Sequence, residues 1–169
     1  TVTLRPTDTV LVIGAGPIGL LFTSLLATRN VKQILVVGHR PERLQIAQQL
    51  GATQLIDPQQ QDPVETVRSR TDGRGADLVI ECTGLPEVWE QAMEHVAPAG
   101  SILLFGGCPG NTTVRFDTAK LHYEEISLRG CFHYNPEDVL EARNLLVNDR
   151  IDVVPLLTGR YPLSDLEHV

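Results

Sequence analysis

Lysine is scarce in this sequence of 169 residues, which contains neither a long apolar run nor an uninterrupted run of basic residues. Lys32 and Lys120 are the only lysines, 14 basic residues stand against 21 acidic ones, and the net charge is −7. This balance gives no electrostatic footprint for nucleic acid or an anionic membrane. The apolar runs, of about five to ten residues, are shorter than the roughly 20 that span a bilayer. We therefore expect neither nucleic acid nor membrane as a partner.

Cysteine is also too rare for a disulfide framework. Cys82, Cys108 and Cys131 lie 26 and 23 residues apart, which does not match a CxxC metal motif either. The N-terminus, TVTLRPTDT, lacks the basic start and apolar stretch of a secretory signal. These absences favour a reduced, cytoplasmic protein. Because the sequence does not begin with methionine, we expect it to be part of a longer gene product.

What the sequence does contain is an alternation of short apolar runs with helix-like segments. The runs predicted to be strands are TVLVI (9–13), QILVVG (33–38), TQLID (53–57), ADLVIECTG (76–84) and GSILLFGG (100–107). Helical periodicity or a helix-start proline marks the segments at 17–29, 41–51, 63–70 and 86–96. Several runs are apolar on both faces, as strands covered by helices on both sides require. The alternation predicts one α/β domain with a doubly wound parallel sheet, Rossmann-like, in three αβα layers.

The pattern changes after residue 110. TTVRF (112–116) alternates in the manner of an exposed strand, and EISLRGCF (125–132) is typical of another strand. PEDVLEARNLLVND (136–149) has the spacing of an amphipathic helix, and PLLTGRYPL (155–163) is predicted to be extended.

The stretch VLVIGAGPIGLL carries the first functional signal. Its three glycines, Gly14, Gly16 and Gly19, follow a predicted strand and open a predicted helix within a βαβ unit of about 30 residues. In that context the first glycine allows a tight turn, the second admits a pyrophosphate close to the backbone, and the third lets helix and strand pack closely. The loop therefore predicts dinucleotide binding, the alternative being a close-packed turn without a ligand.

The end of the second strand indicates which dinucleotide. NAD-binding units usually have an acidic residue there, which accepts hydrogen bonds from the ribose hydroxyls. VVGHRPER has Gly38 at that position, followed by the cationic or titratable side chains of His39, Arg40 and Arg43. Arginine binds phosphate with a planar fork of donors, so the segment favours NADP(H) over NAD(H). The alternative is that these are solvated helix-start residues and that NAD binds without the acidic contact.

Two further strand ends contribute small residues, ECTG (81–84) and FGGCPG (105–110). Ligands of open α/β sheets bind at the carboxyl ends of strands, where small residues let a nucleotide approach the backbone. For Gly106 and Gly107 a plain turn is an equally good interpretation.

With these motifs in order, the chain resembles the cofactor-binding domain of the zinc-type medium-chain dehydrogenases, in particular the alcohol, sorbitol and threonine dehydrogenase branch. The resemblance covers essentially the whole chain. It depends on DTVLVIGAGPIGLL, PERLQIAQQLGAT, GADLVIECTG, GSILLFGG and the ending PLLTGRYPLSDLEHV.

The resemblance implies a set of cofactor contacts along the cleft. The pyrophosphate would contact Gly16, Pro17, Ile18 and Gly19, and the adenosine ribose would lie near Gly38, His39, Arg40 and Arg43. Cys82 and Thr83 would flank the adenosine end. Phe105, Gly106 and Gly107 would lie near the nicotinamide ribose, with Cys131 and His133 at the carboxamide. Gly38 departs from the family pattern, where many members have Asp, and this departure argues against simple NAD specificity.

The resemblance also implies what lies outside this chain. In the family, hydride passes between an alcohol or polyol and the nicotinamide while zinc polarises the alcohol oxygen. The zinc ligands belong to a separate N-terminal domain without a counterpart here, and a final C-terminal helix is absent too. We therefore expect residues 1–169 to bind the cofactor without completing the reaction, and expect no metal at His122, Cys131 or His133. Relatives commonly dimerise through a strand of this domain, and Thr112 to Phe116 is the predicted contact.

Two other functions use similar loops. A non-catalytic module that senses the NADP(H) redox state is compatible with the lack of a catalytic constellation. A methyltransferase that uses S-adenosylmethionine also favours a glycine loop. The long helical pattern after Pro17 and the basic end of the second strand argue against the methyltransferase.

Overall fold

A computed structural model describes residues 2–167, so His168 and Val169, at the end of the closing motif, lie outside the described residues. Six parallel strands form one sheet in the order β3-β2-β1-β4-β5-β6. They are β1 (Thr9–Ile13), β2 (Gln33–Val37), β3 (Gln54–Ile56), β4 (Ala76–Glu81), β5 (Val96–Leu104) and β6 (Ser127–Gly130). The helices are α1 (Pro17–Ala27), α2 (Pro41–Gln49), α3 (Pro63–Ser69), α4 (Pro86–His95), α5 (Thr118–Tyr123) and α6 (Pro136–Val147). The doubly wound α/β prediction is confirmed.

The core lies on both faces of the sheet because successive strand residues point to opposite sides. Leu11 and Ile13 of β1 face the layer formed by α3 and α4, where they join Val67 and Met93. Val10 and Val12 face α1 and α2 instead. All five residues of β1 are buried, and each fully buried Val or Leu contributes about 1.5–3 kcal/mol to folding. Neither face of the central strands is left to solvent, which explains their continuous apolar runs.

The strand order creates a crevice beside β1. The chain runs outward from β1 through β2 to β3 and then crosses back, so β1 pairs with both β2 and β4. Loops that follow β1 and β4 therefore diverge to opposite faces, and open α/β sheets bind ligands at such a switch point. The glycine loop after β1 lies there.

The segment 112–116 is not a strand, contrary to the sequence-based prediction. Strands β5 and β6 are parallel, so the chain between them must return to the opposite end of the sheet and cannot pair as a hairpin would. On this return path Phe116 packs against the core, and Asp117 caps the unpredicted helix α5 by accepting from the Ala119 and Lys120 amides.

The C-terminal part differs from the prediction in smaller ways. The segment 155–163 is not one extended piece, because short 3₁₀ turns form at Val154–Leu156 and Leu163–Asp165. Helix α6 has the predicted position and begins with a capping box between Asn135 and Asp138, but none of its residues is buried. Among the described residues no helix is both long and apolar enough to cross a membrane.

Candidate functional site

The glycine loop connects β1 to α1 by a turn that only small residues allow. Gly14 has φ = +104°, and its amide donates to the Val37 carbonyl at 2.9 Å. A Cβ atom added at Gly19 would overlap the Gly14 carbonyl oxygen, so α1 can approach β1 only because residue 19 is glycine. At Gly16, by contrast, a Cβ would project into open space. That space borders the first turn of α1, whose amides have no partner within the helix and so attract anions.

A cavity of about 530 Å³ opens in front of this loop. Nine of the sequence-predicted site residues line it: Gly14, Gly16, Pro17, Gly38, His39, Arg40, Arg43, Cys82 and Thr83. They come from the ends of β1, β2 and β4, which the topology brings to one edge of the sheet. Ile18 and Gly19 lie in the first turn of α1 but do not line the cavity.

The end of β2 forms a cationic corner, which we define as His39, Arg40 and Arg43. Within residues 2–167 none of the three takes part in an ion pair with an acidic side chain. Arg40 is the N-cap residue of α2 and Arg43 lies in the first turn, so the corner also borders the positive end of a helix. The arrangement offers several donors to an anion at the mouth of the cavity.

Gly38 is buried under the glycine loop. A Cβ atom there would lie 2.7 Å from the Ala15 Cβ and 3.3 Å from Leu44 Cδ2. A carboxylate at this position would therefore require the loop to move. Close packing, in addition to charge, therefore disfavours an acidic side chain at position 38.

The turn ECTG is held by the carboxylate of Glu81, which is fully buried. One carboxylate oxygen accepts from the Thr83 amide at 2.6 Å and from the Thr83 hydroxyl, and the Gly84 amide donates to the same group at 3.2 Å. The backbone carbonyl of Glu81 accepts from the amides of Phe105 and Gly106. Glu81 therefore connects the loop after β4 with the loop after β5.

The loop after β5 adjoins this turn without entering the cavity. Trp89 Nε1 donates to the Gly106 carbonyl at 2.9 Å, and Phe105 contacts Phe22 edge to face at 5.0 Å between ring centroids. Gly107 is exposed beside them. Cys131 and His133 lie beyond β6, are exposed, and do not line the cavity.

Cys82 lines the cavity as an unreactive thiol. Burial, with a smaller effect of the adjacent Glu81 carboxylate, raises its pKa to about 12. The side chain is therefore protonated at neutral pH, and a protonated thiol is a weak nucleophile. Cys82 therefore contributes to the shape of the cavity and not to its reactivity.

The far wall of the cavity was not predicted from the sequence. It is formed by the segment that leads into the first turn of α3 and by one side of α4. Its residues are Pro58, Pro63, Leu85, Val88, Gln91 and His95. Leu85, the N-cap residue of α4, and Val88, Gln91 and His95 recur at spacings of three and four, so helical periodicity after ECTG places them on one side of the helix. Nothing in the sequence indicates that this side faces the cleft.

His95, the last residue of α4, is only 5% exposed. Its Nδ1 is the one fully buried side-chain nitrogen or oxygen in residues 2–167 without a hydrogen-bond partner. Burial lowers its pKa from 6.5 to about 4; Asp62 and Glu94 oppose this shift, while Lys120 and Arg68 add to it. His95 is therefore neutral at pH 7.

This burial predicts an acid-sensitive fold. Between pH 6.5 and about 4 the unfolded chain binds a proton at His95 that the folded chain does not, so stability falls as the pH is lowered. The loss should approach ~3 kcal/mol by pH 4. Urea unfolding of wild type and His95→Leu at pH 7 and pH 4.5 checks it: the variant should lose less stability than wild type. Equal losses in both proteins would assign the acid sensitivity to other groups.

Comparison with known proteins identifies the family of this chain. A profile of the zinc-binding dehydrogenase family matches residues 17–148. L-threonine 3-dehydrogenase from Pyrococcus horikoshii is 30% identical over 153 residues, which cover 90% of this chain and 44% of that enzyme. This chain thus spans less than half the length of that curated relative.

Solved structures show the same fold. An alcohol dehydrogenase from Thermus sp. ATN1 superposes with a TM-score of 0.87 at 30% identity, over 96% of this chain and 46% of that one. A zinc-binding dehydrogenase from Sinorhizobium meliloti, solved with NADP bound, gives a TM-score of 0.83 at 26% identity, over 88% of this chain and 44% of that one. The family profile matches residues 17–148, which include five of the six strands of the sheet. The chain therefore belongs to the zinc-binding dehydrogenase family and forms its cofactor-binding domain.

Proposed function

We propose that this chain is the NADP(H)-binding half of a zinc-dependent medium-chain oxidoreductase that transfers hydride between the cofactor and an alcohol or polyol. The observation that carries the choice of cofactor is the cationic corner at the end of β2, where Gly38 stands in place of an acidic residue. No carboxylate within residues 2–167 forms an ion pair with His39, Arg40 or Arg43. The corner is therefore available to an external anion.

Two features of the cleft support dinucleotide binding. Open space at Gly16 leaves room for a pyrophosphate against the first turn of α1, where free amides and the helix dipole favour negative charge. Cys82 and Thr83 line the cavity, and we assign the adenosine end of the cofactor to them. The bound nicotinamide supplies the hydride chemistry. In this proposal the residues of this chain bind and orient the cofactor. We assign its nicotinamide end to the loop with Phe105, Gly106 and Gly107, and to Cys131 and His133 beyond β6.

A 2′-phosphate would distinguish the two cofactors at the cationic corner. A carboxylate at position 38 would repel such a phosphate. Packing of Gly38 against Ala15 leaves little room for a carboxylate side chain there. Arg40 and Arg43 each provide a planar set of donors that suits phosphate geometry. The NADP-bound relative from Sinorhizobium meliloti supports this assignment.

The relatives also bear on the competing functions. The proteins compared above are all named as dehydrogenases, which supports an oxidoreductase over a non-catalytic redox sensor. None of these names supports a methyltransferase. The whole protein's alcohol or polyol substrate is part of our proposal, since this chain covers less than half of those enzymes.

Zinc does not fit this part of the protein. Residues 2–167 contain no group of three or more His, Cys, Asp or Glu side chains that could hold a metal ion. We assign no step to zinc within this chain and propose that its ligands belong to another domain.

We also propose that the whole protein forms a homo-oligomer. Because the segment from Thr112 to Phe116 is not a strand, a contact between subunits at this segment would have to use its side chains. All three cysteines are unpaired, which favours the cytoplasm.

Cofactor selectivity tests the proposed function directly. Arg40→Ala should weaken NADPH binding about 10-fold or more, because a charge-assisted phosphate contact contributes ~1.5–3 kcal/mol. NADH binding should change less than about twofold, since NADH has no 2′-phosphate. Fluorescence titration of both cofactors measures the two effects. Arg70→Ala, an exposed arginine at the other end of α3, is the matched control and should change neither. Equal affinities of wild type for NADPH and NADH would contradict the proposal.

A further inference from the structure

The residues after β6 contribute no buried side chain to the core. Ile126 is the last buried apolar residue within residues 2–167, and none of residues 131–167 is buried. The same segment nevertheless holds 11 of the 15 large apolar side chains that are exposed in the described part of the chain. Single exposed apolar residues are common, but soluble proteins rarely expose many of them together. The segment 131–167 therefore presents a surface that another part of a protein is expected to cover.

Helix α6 turns its apolar side to solvent. Four of its side chains are 45–64% exposed and lie on one side of the helix, because they recur at spacings of one and seven: Val139, Leu140, Leu146 and Val147. We call these four residues the apolar side of α6. On the opposite side, Glu141 pairs with Arg29, just after α1, at 2.7 Å, and Leu145 is partly buried. A surface helix of a globular protein normally has the reverse orientation, with its apolar stripe on the core.

The position of this segment favours one occupant. Strand β6 is parallel to β5 and so ends at the edge of the sheet where the ends of β1, β2 and β4 line the cavity. The segment starts there, with Cys131 and His133, which we assign to the nicotinamide end. Zinc has to reach the alcohol beside the nicotinamide, so a domain that carries the zinc ligands must adjoin the same edge. Such a domain has ample length, because the match covers only 44% of the L-threonine 3-dehydrogenase from Pyrococcus horikoshii.

We propose that the apolar side of α6 is the docking surface for the domain that carries the zinc ligands in the same protein. This rests on the proposed function, which assigns the zinc ligands to another domain. Arg143 lies among the four apolar residues and forms no ion pair within residues 2–167. The surface that covers α6 is therefore expected to be apolar, with an acidic side chain opposite Arg143. Cover by a second copy of this chain is the alternative that the test distinguishes.

The first test places a charge on the apolar side of α6. Leu140→Glu should lower the urea midpoint of the whole gene product by about 1 M or more, because burial at the docked interface is lost. In residues 1–169 alone it should lower the midpoint by less than about 0.3 M, since Leu140 is already 59% exposed there. Asn144→Glu, an exposed substitution on the same helix but outside its apolar side, is the control and should have little effect in either protein.

Thiol labelling covers the case in which Leu140→Glu prevents the whole gene product from folding. Val147→Cys should react with iodoacetamide at least about 10-fold more slowly in the whole gene product than in residues 1–169, because docking closes this side to the reagent. Gln45→Cys, at an exposed position of α2, is the control and should react equally in both. Peptide mass spectrometry separates each introduced thiol from the three native cysteines.

Three results would overturn the inference. They are equal labelling of Val147→Cys in the two proteins, an equal effect of Leu140→Glu in both, and a dimer of residues 1–169 in sedimentation that Leu140→Glu dissociates. The last result would assign the apolar side of α6 to a second copy. None of these readouts involves the cofactor, so a wild type that fails to bind NADPH would contradict only the proposed function. A gene product without a further domain would overturn both.

Discussion

Gly16→Ala is expected to weaken NADPH binding at least about 10-fold while the protein remains folded. The backbone at Gly16 has φ = −77° and ψ = 179°, which alanine adopts freely, and its Cβ would meet no atom of the protein within 4 Å. The methyl group would occupy the space assigned to the pyrophosphate. Because alanine is a poorer N-cap than glycine, a stability loss of up to about 1 kcal/mol is expected.

Gly19→Ala, in the same loop, is expected to lower stability as well as NADPH affinity. Its Cβ would overlap the Gly14 carbonyl oxygen and approach Val12 Cγ1 to 3.3 Å, so α1 must move away from β1. Overpacking of this kind costs about 1–3 kcal/mol or more. Urea unfolding and NADPH titration of both variants check the pair: Gly16→Ala should lose mainly affinity, and Gly19→Ala both affinity and stability. Wild-type affinity in Gly16→Ala would mean that the phosphates do not lie on this loop.

Glu81→Ala is expected to lower the free energy of unfolding by about 2 kcal/mol, since it removes a fully buried acceptor and leaves the buried Gly84 amide without its partner. The amides of Thr83 and Gly84 and the Thr83 hydroxyl would lose their partner, and of these two residues Gly84 is buried while Thr83 is exposed. The connection to the loop after β5 would loosen as well, so NADPH affinity should fall along with stability.

A matched control exists for this substitution. The carboxylate of Glu90 also accepts from a backbone amide, that of Arg115 at 2.8 Å, but it is exposed. Glu90→Ala should therefore cost less than about 1 kcal/mol, because water replaces the lost partner. Urea unfolding of the two variants measures the difference. Similar losses would show that the burial of Glu81 has no special role.

Local signals were sufficient for much of the fold. Pro17, Pro41, Pro63, Pro86 and Pro136 each occupy the first turn of a helix. Proline favours that position because its missing N–H and fixed φ cost nothing there. Continuous apolar runs indicated strands covered on both faces, and five of the six strands lie within the predicted segments. The strand predicted at 100–107 begins earlier, at Val96, and ends at Leu104.

Local signals failed where distant parts of the chain decide the conformation. The alternation in TTVRF is typical of a strand, but the parallel pairing of β5 with β6 leaves this segment no partner. Similarly, the spacing of Leu85, Val88 and His95 fits any amphipathic helix. Only the packing of α4 beside α3 turns that side toward the cavity.

By itself, the sequence determined the alternation of strands and helices, the glycine loop, and the basic segment after β2, because each depends on residues a few positions apart. The tertiary structure decided which strand ends share one crevice, that Glu81 connects two loops, and that His95 is buried with an unpartnered nitrogen. Those features depend on atoms that belong to different strands and helices, and their distances are set by packing, which no local pattern records.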